Sequence, residues 1–375
     1  MGSWLDRLKT QPLDWLREKS CPPVLARVLT EVFDRPADDP EVAAARNGAF
    51  NYKNAVTISR NQQETGTWLN KVLEFEAPNN SRNRGPGMVN QFLSLVEYGW
   101  DPTHPIIHSS AGRMLRYVME DTTADLFEMK GYVGTNEAAT REILWALAVI
   151  SAASLSRAGY GDDPSVVAVA ERVLGELGEQ YPEGGDPDLF DGQVEIAEES
   201  KEDGIYRVVK PGHHIPDMFL FYLMAWHPVF HTDEARVVVK RVVDYLMKGD
   251  EIALRLRQSA GKRYIKLVDL HISQWGRDEF ADKRLGFLLH DLELLARTGT
   301  LTSSDKAVEL LDWVLSLQDD DGVWRVDDHI EKAVSRSQYH YFPLEESWRG
   351  KHKKYTDVTF RVLLILRVLD RTCPL

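Results

Sequence analysis

Along most of the chain, apolar residues recur every three to four positions, the period of a helix with one face turned to a core. The runs come in pairs: 88–98 with 105–119, 137–158 with 164–177, 216–226 with 233–247, and 284–298 with 304–317. Gly99, Gly159 and Gly299 stand just past the first run of three pairs, and Pro105, Pro164, Asp233 or Ser304 marks the next start. A glycine that ends one helix and a proline or short polar residue that opens the next is helix–turn–helix punctuation. The first run of each pair is apolar nearly all round, as in Leu144–Ile150 and Phe219–Met224, and predicts a helix buried on most sides. The second runs carry charged stripes, as in Glu234–Arg241, and predict outer helices. The pattern predicts an all-α fold, an α/α toroid of about five to six helix pairs with small extended insertions. The alternative is an irregular bundle or an open solenoid. Two unpaired runs, 22–33 and 356–369, are expected to pair with each other. Residues 1–60 would then supply the helices that close the ring, and residues 1–375 read as one domain.

The links carry a second repeat. Asp320-Asp321-Gly322-Val323-Trp324-Arg325-Val326 matches Glu202-Asp203-Gly204-Ile205-Tyr206-Arg207-Val208 almost position for position, and Gln63-Glu64-Thr65-Gly66-Thr67-Trp68 is a looser copy. In each, glycine permits a turn with φ > 0 and the following ring can tuck against helix ends. These copies read as glue between repeats, with the leading Gln capping exposed backbone groups.

Gln318…Gly322-Val323-Trp324 and Gln63…Gly66-Thr67-Trp68 resemble the QW repeats of the squalene–hopene cyclase and prenyltransferase superfamily, and the helix-pair period is similar along about 63–369. The resemblance implies a terpenoid cyclase-like α/α barrel with a central, aromatic-lined apolar cavity, in a group of families acting on isoprenoids. Glycan enzymes use such barrels too. The chain lacks the Asp-x-Asp-Asp acid motif of one cyclase class. It also lacks the Asp-Asp-x-x-Asp magnesium motif of the other at Asp38-Asp39, Asp162-Asp163 and Asp319-Asp320-Asp321. The resemblance is therefore to a divergent member.

Composition narrows the classes. Lys plus Arg is 45 against 58 Asp plus Glu, a net charge of −13, which speaks against a duplex-wide phosphate binder and for no nucleic-acid role. The two cysteines, Cys21 and Cys373, stand at opposite ends and make neither a disulfide framework nor a Cys-rich zinc site. No cofactor is expected. No basic segment followed by an apolar stretch opens the chain, and no apolar run reaches the ~20 residues of a membrane span. A cytoplasmic protein without stable membrane insertion is the expectation.

In a toroid, the segments entering the inner helices build the mouth, where helix N-termini present free N–H groups. These segments hold Asn90 and Gln91; Thr135, Asn136 and Glu137; His213, His214 and Asp217; Asp278, Asp282 and Arg284; and Tyr355, Thr356 and Asp357. Thr135, Asp217 and Thr356 or Asp357 are also ordinary N-cap types. The most unusual string is Lys210-Pro211-Gly212-His213-His214-Ile215-Pro216-Asp217. An imidazole oriented by a carboxylate can carry a proton near neutral pH. Asp217, His214 and His213 are thus candidate catalytic groups, with Glu137 and Asp357 beside them. Trp145, Phe221, Tyr222, Tyr339 and Tyr341 are candidate substrate walls, and Asn90 and Gln91 candidate contacts. Pro228 interrupts the helical stacking of His227 and His231, so no metal is assigned. The alternating stretch 266–275 reads as extended, with Asp269 and His271 on one face.

The expected function is acid–base chemistry — cyclisation, isomerisation or elimination — on an apolar, isoprenoid small molecule. The alternatives are a glycan-active hydrolase or lyase, and a non-catalytic lipid-binding or scaffold toroid.

Overall fold

The computed structural model describes residues 3–68, 87–119, 137–196, 204–210, 212–213, 216–248, 255–259, 263–266, 270–330, 343–346, 348–350 and 352–373. These residues are mostly helical. In chain order the helices are α1 Leu13–Lys19, α2 Pro22–Arg27, α3 Pro40–Phe50, α4 Lys53–Arg60, α5 Met88–Glu97, α6 Pro105–Val118, α7 Glu137–Arg157 and α8 Pro164–Gln180. They continue as α9 Met218–Trp226, α10 Asp233–Met247, α11 Arg277–Ala281, α12 Leu285–Arg297, α13 Asp305–Ser316 and α14 Lys353–Thr372. Contacts divide the chain into two compact units: residues 1–113 with 275–375, and residues 114–274.

The periodic runs fold as the pattern dictates. Met218 to Ala225 on α9 are all buried, as are Leu288 to Ala296 on α12. On α10 only Ala235, Val239, Val242, Val243 and Leu246 are buried, one stripe of a charged helix. Within the second unit α7 packs on α9, and α8 on both α7 and α10. Within the first, α12 packs on α14. The three glycines end their helices in one way. Gly99, Gly159 and Gly299 have φ of +86°, +94° and +71°. The next residue's N–H reaches back over the turn each time: Trp100 to Leu95 O, Tyr160 to Leu155 O, and Thr300 to Leu295 O, at 3.0, 2.9 and 3.0 Å. This is the six-to-one bond of a left-handed helix cap.

The run 22–33 is not one regular helix. After α2 the backbone widens into a π-turn over Val28–Val32. It does pack against α14, and Arg371 on α14 donates to Glu31 O at 3.0 Å. The chain start also meets α14: Ser3 Oγ and Trp4 N donate to Asp370 at 2.6 Å each. Cys21 and Cys373 are not bridged.

Two of the three link copies are the same device. Trp68 Nε1 donates to Ile58 O and Trp324 Nε1 to Val314 O, both at 2.7 Å and both ten residues back. Gly66 and Gly322 turn with φ of +77° and +86°. A methyl group added at either would lie 2.7 Å from Ser109 O or 2.5 Å from Thr10 O, so close approach excludes any side chain. The structural partner of Gln318 is Gln62, not Gln63. Gln318 Nε2 donates to Gly322 O at 3.0 Å and to Thr10 O at 2.9 Å, while Gln62 Nε2 bonds Ser110 Oγ, which in turn donates to Gly66 O at 2.7 Å. Gln63 takes the place of Asp319: each backbone N–H closes the turn, onto Thr67 O and Val323 O respectively.

The third copy is a correction. Gly204 opens a strand rather than a turn. The second unit holds a four-stranded sheet: β1 Phe190–Ile196, β2 Gly204–Val209, β3 Arg255–Ser259 and β4 Arg263–Lys266. β1 and β2 are antiparallel, with Tyr206 opposite Val194; β2 and β3 are parallel; β3 and β4 are antiparallel. Ile205, Tyr206 and Val208 are β-branched or aromatic, types that a strand suits as well as a turn exit does. Of the stretch 266–275, read as extended, Lys266 belongs to β4 and His271–Ser273 form a short 3-10 turn; residues 267–269, Asp269 among them, lie outside the described residues.

Candidate acid–base site

α14 begins at Lys353, three residues before the expected start. Thr356 and Asp357 are therefore inside the helix and cap nothing at its start. A carboxylate there must find partners elsewhere, and Asp357 finds them on the preceding loop. Its Oδ1 accepts Leu344 N at 2.9 Å; its Oδ2 accepts Glu345 N at 3.2 Å and Trp348 Nε1 at 2.6 Å. Asp357 is fully buried. Burial, opposed by the Trp348 bond and reinforced by the negative charge of Glu345, pushes its carboxyl up to about 7.

Glu345 is buried beside it. Its Oε1 accepts Cys21 N and Thr356 Oγ1, both at 2.9 Å, and Lys353 Nζ lies 3.6 Å from Oε2. Cys21 precedes α2 and sets its Sγ 3.6 Å from Leu344 O. Burial, then the charges of Glu345 and Asp357, raise the thiol well above its ordinary range, so it stays neutral and is no nucleophile. Tyr52, before α4, turns its hydroxyl to that thiol and makes no ordinary hydrogen bond among the described residues; burial first, then Cys21 and Glu345, raise the phenol too. The Tyr52 and Tyr98 rings sit 5.4 Å apart, and Asn54 Nδ2 approaches Tyr98 Oη at 3.4 Å. The Asp357 carboxyl, raised by burial, thus stands near a thiol and a phenol that are both pushed up, with Glu345 beside it.

The other candidates are placed as follows. Asp217 caps α9, accepting Phe219 N and Leu220 N at 3.0 Å each, and is half-buried. His213 is half-buried and its backbone N donates to Lys210 O; His214 lies outside the described residues. Glu137 is the exposed first residue of α7. Asp217, His213 and Glu137 belong to the second unit and Asp357 to the first. Trp145 is half-buried, with the Arg172 guanidinium of α8 3.7 Å from its ring, so it packs toward the charged helix. Phe221 and Tyr222 are core, and Arg157 stacks on Tyr222 and Trp226 at 5.2 and 4.3 Å. Tyr339 and Tyr341 lie outside the described residues. Asn90 is buried in the first turn of α5; beside it Gln91 Oε1 is buried with no hydrogen-bond partner among the described residues.

Sequence reasoning named Asp357 but not its company. Glu345 and Cys21 were visible only as residue types, and Tyr52, Asn54 and Trp348 gave no signal. The usable clue is an acid followed by Val358, Phe360 and Val362 in an apolar helix, where an unpaired charge would be costly. Among the described residues no helix is long and apolar enough to cross a membrane, and no group of three or more His, Cys, Asp or Glu is arranged to hold a metal ion. Comparison with family models, curated proteins and solved structures finds no match to this chain.

Proposed function

We propose that the chain is an acid–base enzyme of the α/α-toroid kind, with Asp357 as its proton donor and acceptor. The observation that supports this most is the buried Asp357 carboxyl, poised at about 7 and held by Leu344, Glu345 and Trp348. A general acid works best when its proton affinity lies near the working pH. The substrate in this reading is an apolar small molecule of isoprenoid type, protonated at an alkene or at a leaving oxygen and then cyclised, isomerised or shortened by elimination. The rings of Tyr52, Tyr98 and Trp348 suit such a substrate, since an aromatic face can stabilise a carbocation by about 2 kcal/mol or more when water is excluded. The QW-like turns at Trp68 and Trp324, and the layering of α7 on α9 and α8 on α10, support the toroid.

A second reading keeps the site and changes the substrate. Asp357 and Glu345 are two buried carboxyls on adjoining segments, and glycan cleavage also uses a carboxyl pair. Mass spectrometry of small molecules carried by the purified protein, followed by turnover assays on the class found, separates the two. An apolar ligand whose turnover is lost in Asp357→Asn is the expected result. A bound sugar supports the glycan reading, and turnover unaffected by Asp357→Asn removes both.

A further inference from the structure

The first unit also holds a closed ring of six alternating charges, four of them buried and two, Glu31 and Arg297, half-buried. Arg27 on α2 gives Nε and Nη2 to Glu31 of the π-turn and Nη1 to Glu97 at the end of α5. Glu97 Oε2 also accepts Arg361 Nη2 of α14 at 2.7 Å. Arg361 Nη1 donates to Glu293 of α12 at 2.9 Å, and Glu293 accepts Arg297 Nε one turn on at 3.0 Å. Arg297 Nη2 and Glu31 Oε2, 3.8 Å apart, close the circle. Arg27, Glu97, Glu293 and Arg361 are all buried. Arg27 and Arg361 share the Phe360 ring, at 5.0 and 5.4 Å.

Such a ring is a poor way to gain stability. Taking an ion out of water costs several kcal/mol even after relaxation, and apolar residues of the same volume hold helices together as well or better. Its merit is orientation. A guanidinium fork shared between two carboxylates fixes the direction of the helix that carries it. Arg361 stands four residues after Asp357, so the two share one side of α14 about 6 Å apart at Cβ. Rotating α14 enough to take Asp357 off Leu344, Glu345 and Trp348 would also tear Arg361 from Glu97 and Glu293. Among the described residues, the charged and titratable groups that act on Asp357 are Glu345 of the loop and Cys21 at the start of α2, while Lys353 of its own helix lies beside Glu345 and Arg361, one turn on, is engaged by Glu97. The ring sums to zero, three Arg against three Glu, so it orients the helix without adding a net charge beside the acid.

We infer that this ring is the positioning element of the Asp357 site, and that Arg361 is the residue locking the helix that carries the acid. The inference rests on Asp357 being the working acid, but its test needs no substrate. Two indole N–H groups of the first unit serve as probes: Trp348 donates to Asp357, and Trp68 donates to Ile58 O, a bond that shares no residue with the ring or with Asp357. Hydrogen exchange of both is followed by NMR in Arg361→Lys, which keeps the charge and loses the fork. The expected result is exchange at Trp348 faster by about tenfold while Trp68 is unchanged. Glu293→Gln serves as the second variant should Arg361→Lys not fold. It leaves the ring with one net positive charge, so the Asp357 carboxyl should titrate at lower pH, read by its 13C shift. Equal acceleration at both indoles, or at neither, together with an unmoved Asp357 midpoint in Glu293→Gln, overturns the inference. If Asp357 has no part in turnover, the assays under Proposed function fail while these two readouts are untouched.

Discussion

Asp217 and Asp357 each stand near the start of an apolar helix, and the sequence offers each as an acid. Their surroundings separate them. Asp217 stands just before α9 and accepts two N–H groups of that same helix, half in water. Asp357 stands one turn inside α14, is wholly buried, and accepts three N–H groups from a different segment. The first does what a short acidic side chain does at any helix start. The second carries a charge that its own helix does not need and that burial opposes. A displacement of one helical turn turns a cap into a proton-binding group.

The largest expected effect is on turnover. Asp357→Asn should lower kcat by about 10²–10⁴-fold, the usual size of a general acid's contribution, while Asp217→Asn should leave it within a few-fold. The converse result would exchange the roles of the two residues. The next is pH-dependent stability. The Asp357 carboxyl is raised in the folded state to about 7 from an unfolded value near 3.8. Folding is therefore favoured below about pH 4 relative to above 7, and this contribution is lost as pH rises through that window. Three pH units correspond to on the order of 4 kcal/mol. Urea melts at pH 5 and pH 8 measure the difference. Asp357→Asn should flatten it and Asp217→Asn should leave it, and equal slopes in all three proteins would erase the distinction. A smaller effect is expected from Trp348→Phe. It removes a donor to the ionised carboxyl, so the Asp357 midpoint should rise, by about one pH unit. A fall would mean that the indole does not favour the anion. The smallest belongs to the cap: Asp217→Ala should cost about 1 kcal/mol in a urea melt at either pH. A loss several times larger would give Asp217 more than a cap's work.

Much of the helical layout was legible because its signals are local. The 3.6-residue period located α5 to α10 and α12 to α14 within a few residues at each end. Gly99, Gly159 and Gly299 announced their caps because only glycine takes that backbone without strain. What failed was local ambiguity. Gly204-Ile205-Tyr206 fits a turn exit and a strand equally well, and the strand partners decided. Gln63 fits the Gln-to-Trp form by type, but the hydrogen bonds place Gln62 there. Of the catalytic candidates that the structure describes, Asp357 is the one it places, fully buried, against three donors of another segment. Lys353-Lys354-Tyr355 has no apolar period of its own, so the pattern alone starts α14 later and makes Asp357 a cap type. The charge ring was hidden for a different reason. Arg27–Glu31 and Glu293–Arg297 are visible as four-residue spacings, but Glu97 and Arg361 join them only through contacts between distant segments.

The central claim is that the Asp357 carboxyl exchanges its proton near neutral pH. The direct measurement is a 13C NMR titration of the aspartate carboxyl carbons, with Asp357 assigned by its absence in Asp357→Asn. A midpoint near 7 is the predicted result. A midpoint at or below about 4, the ordinary range for aspartate, would contradict the account.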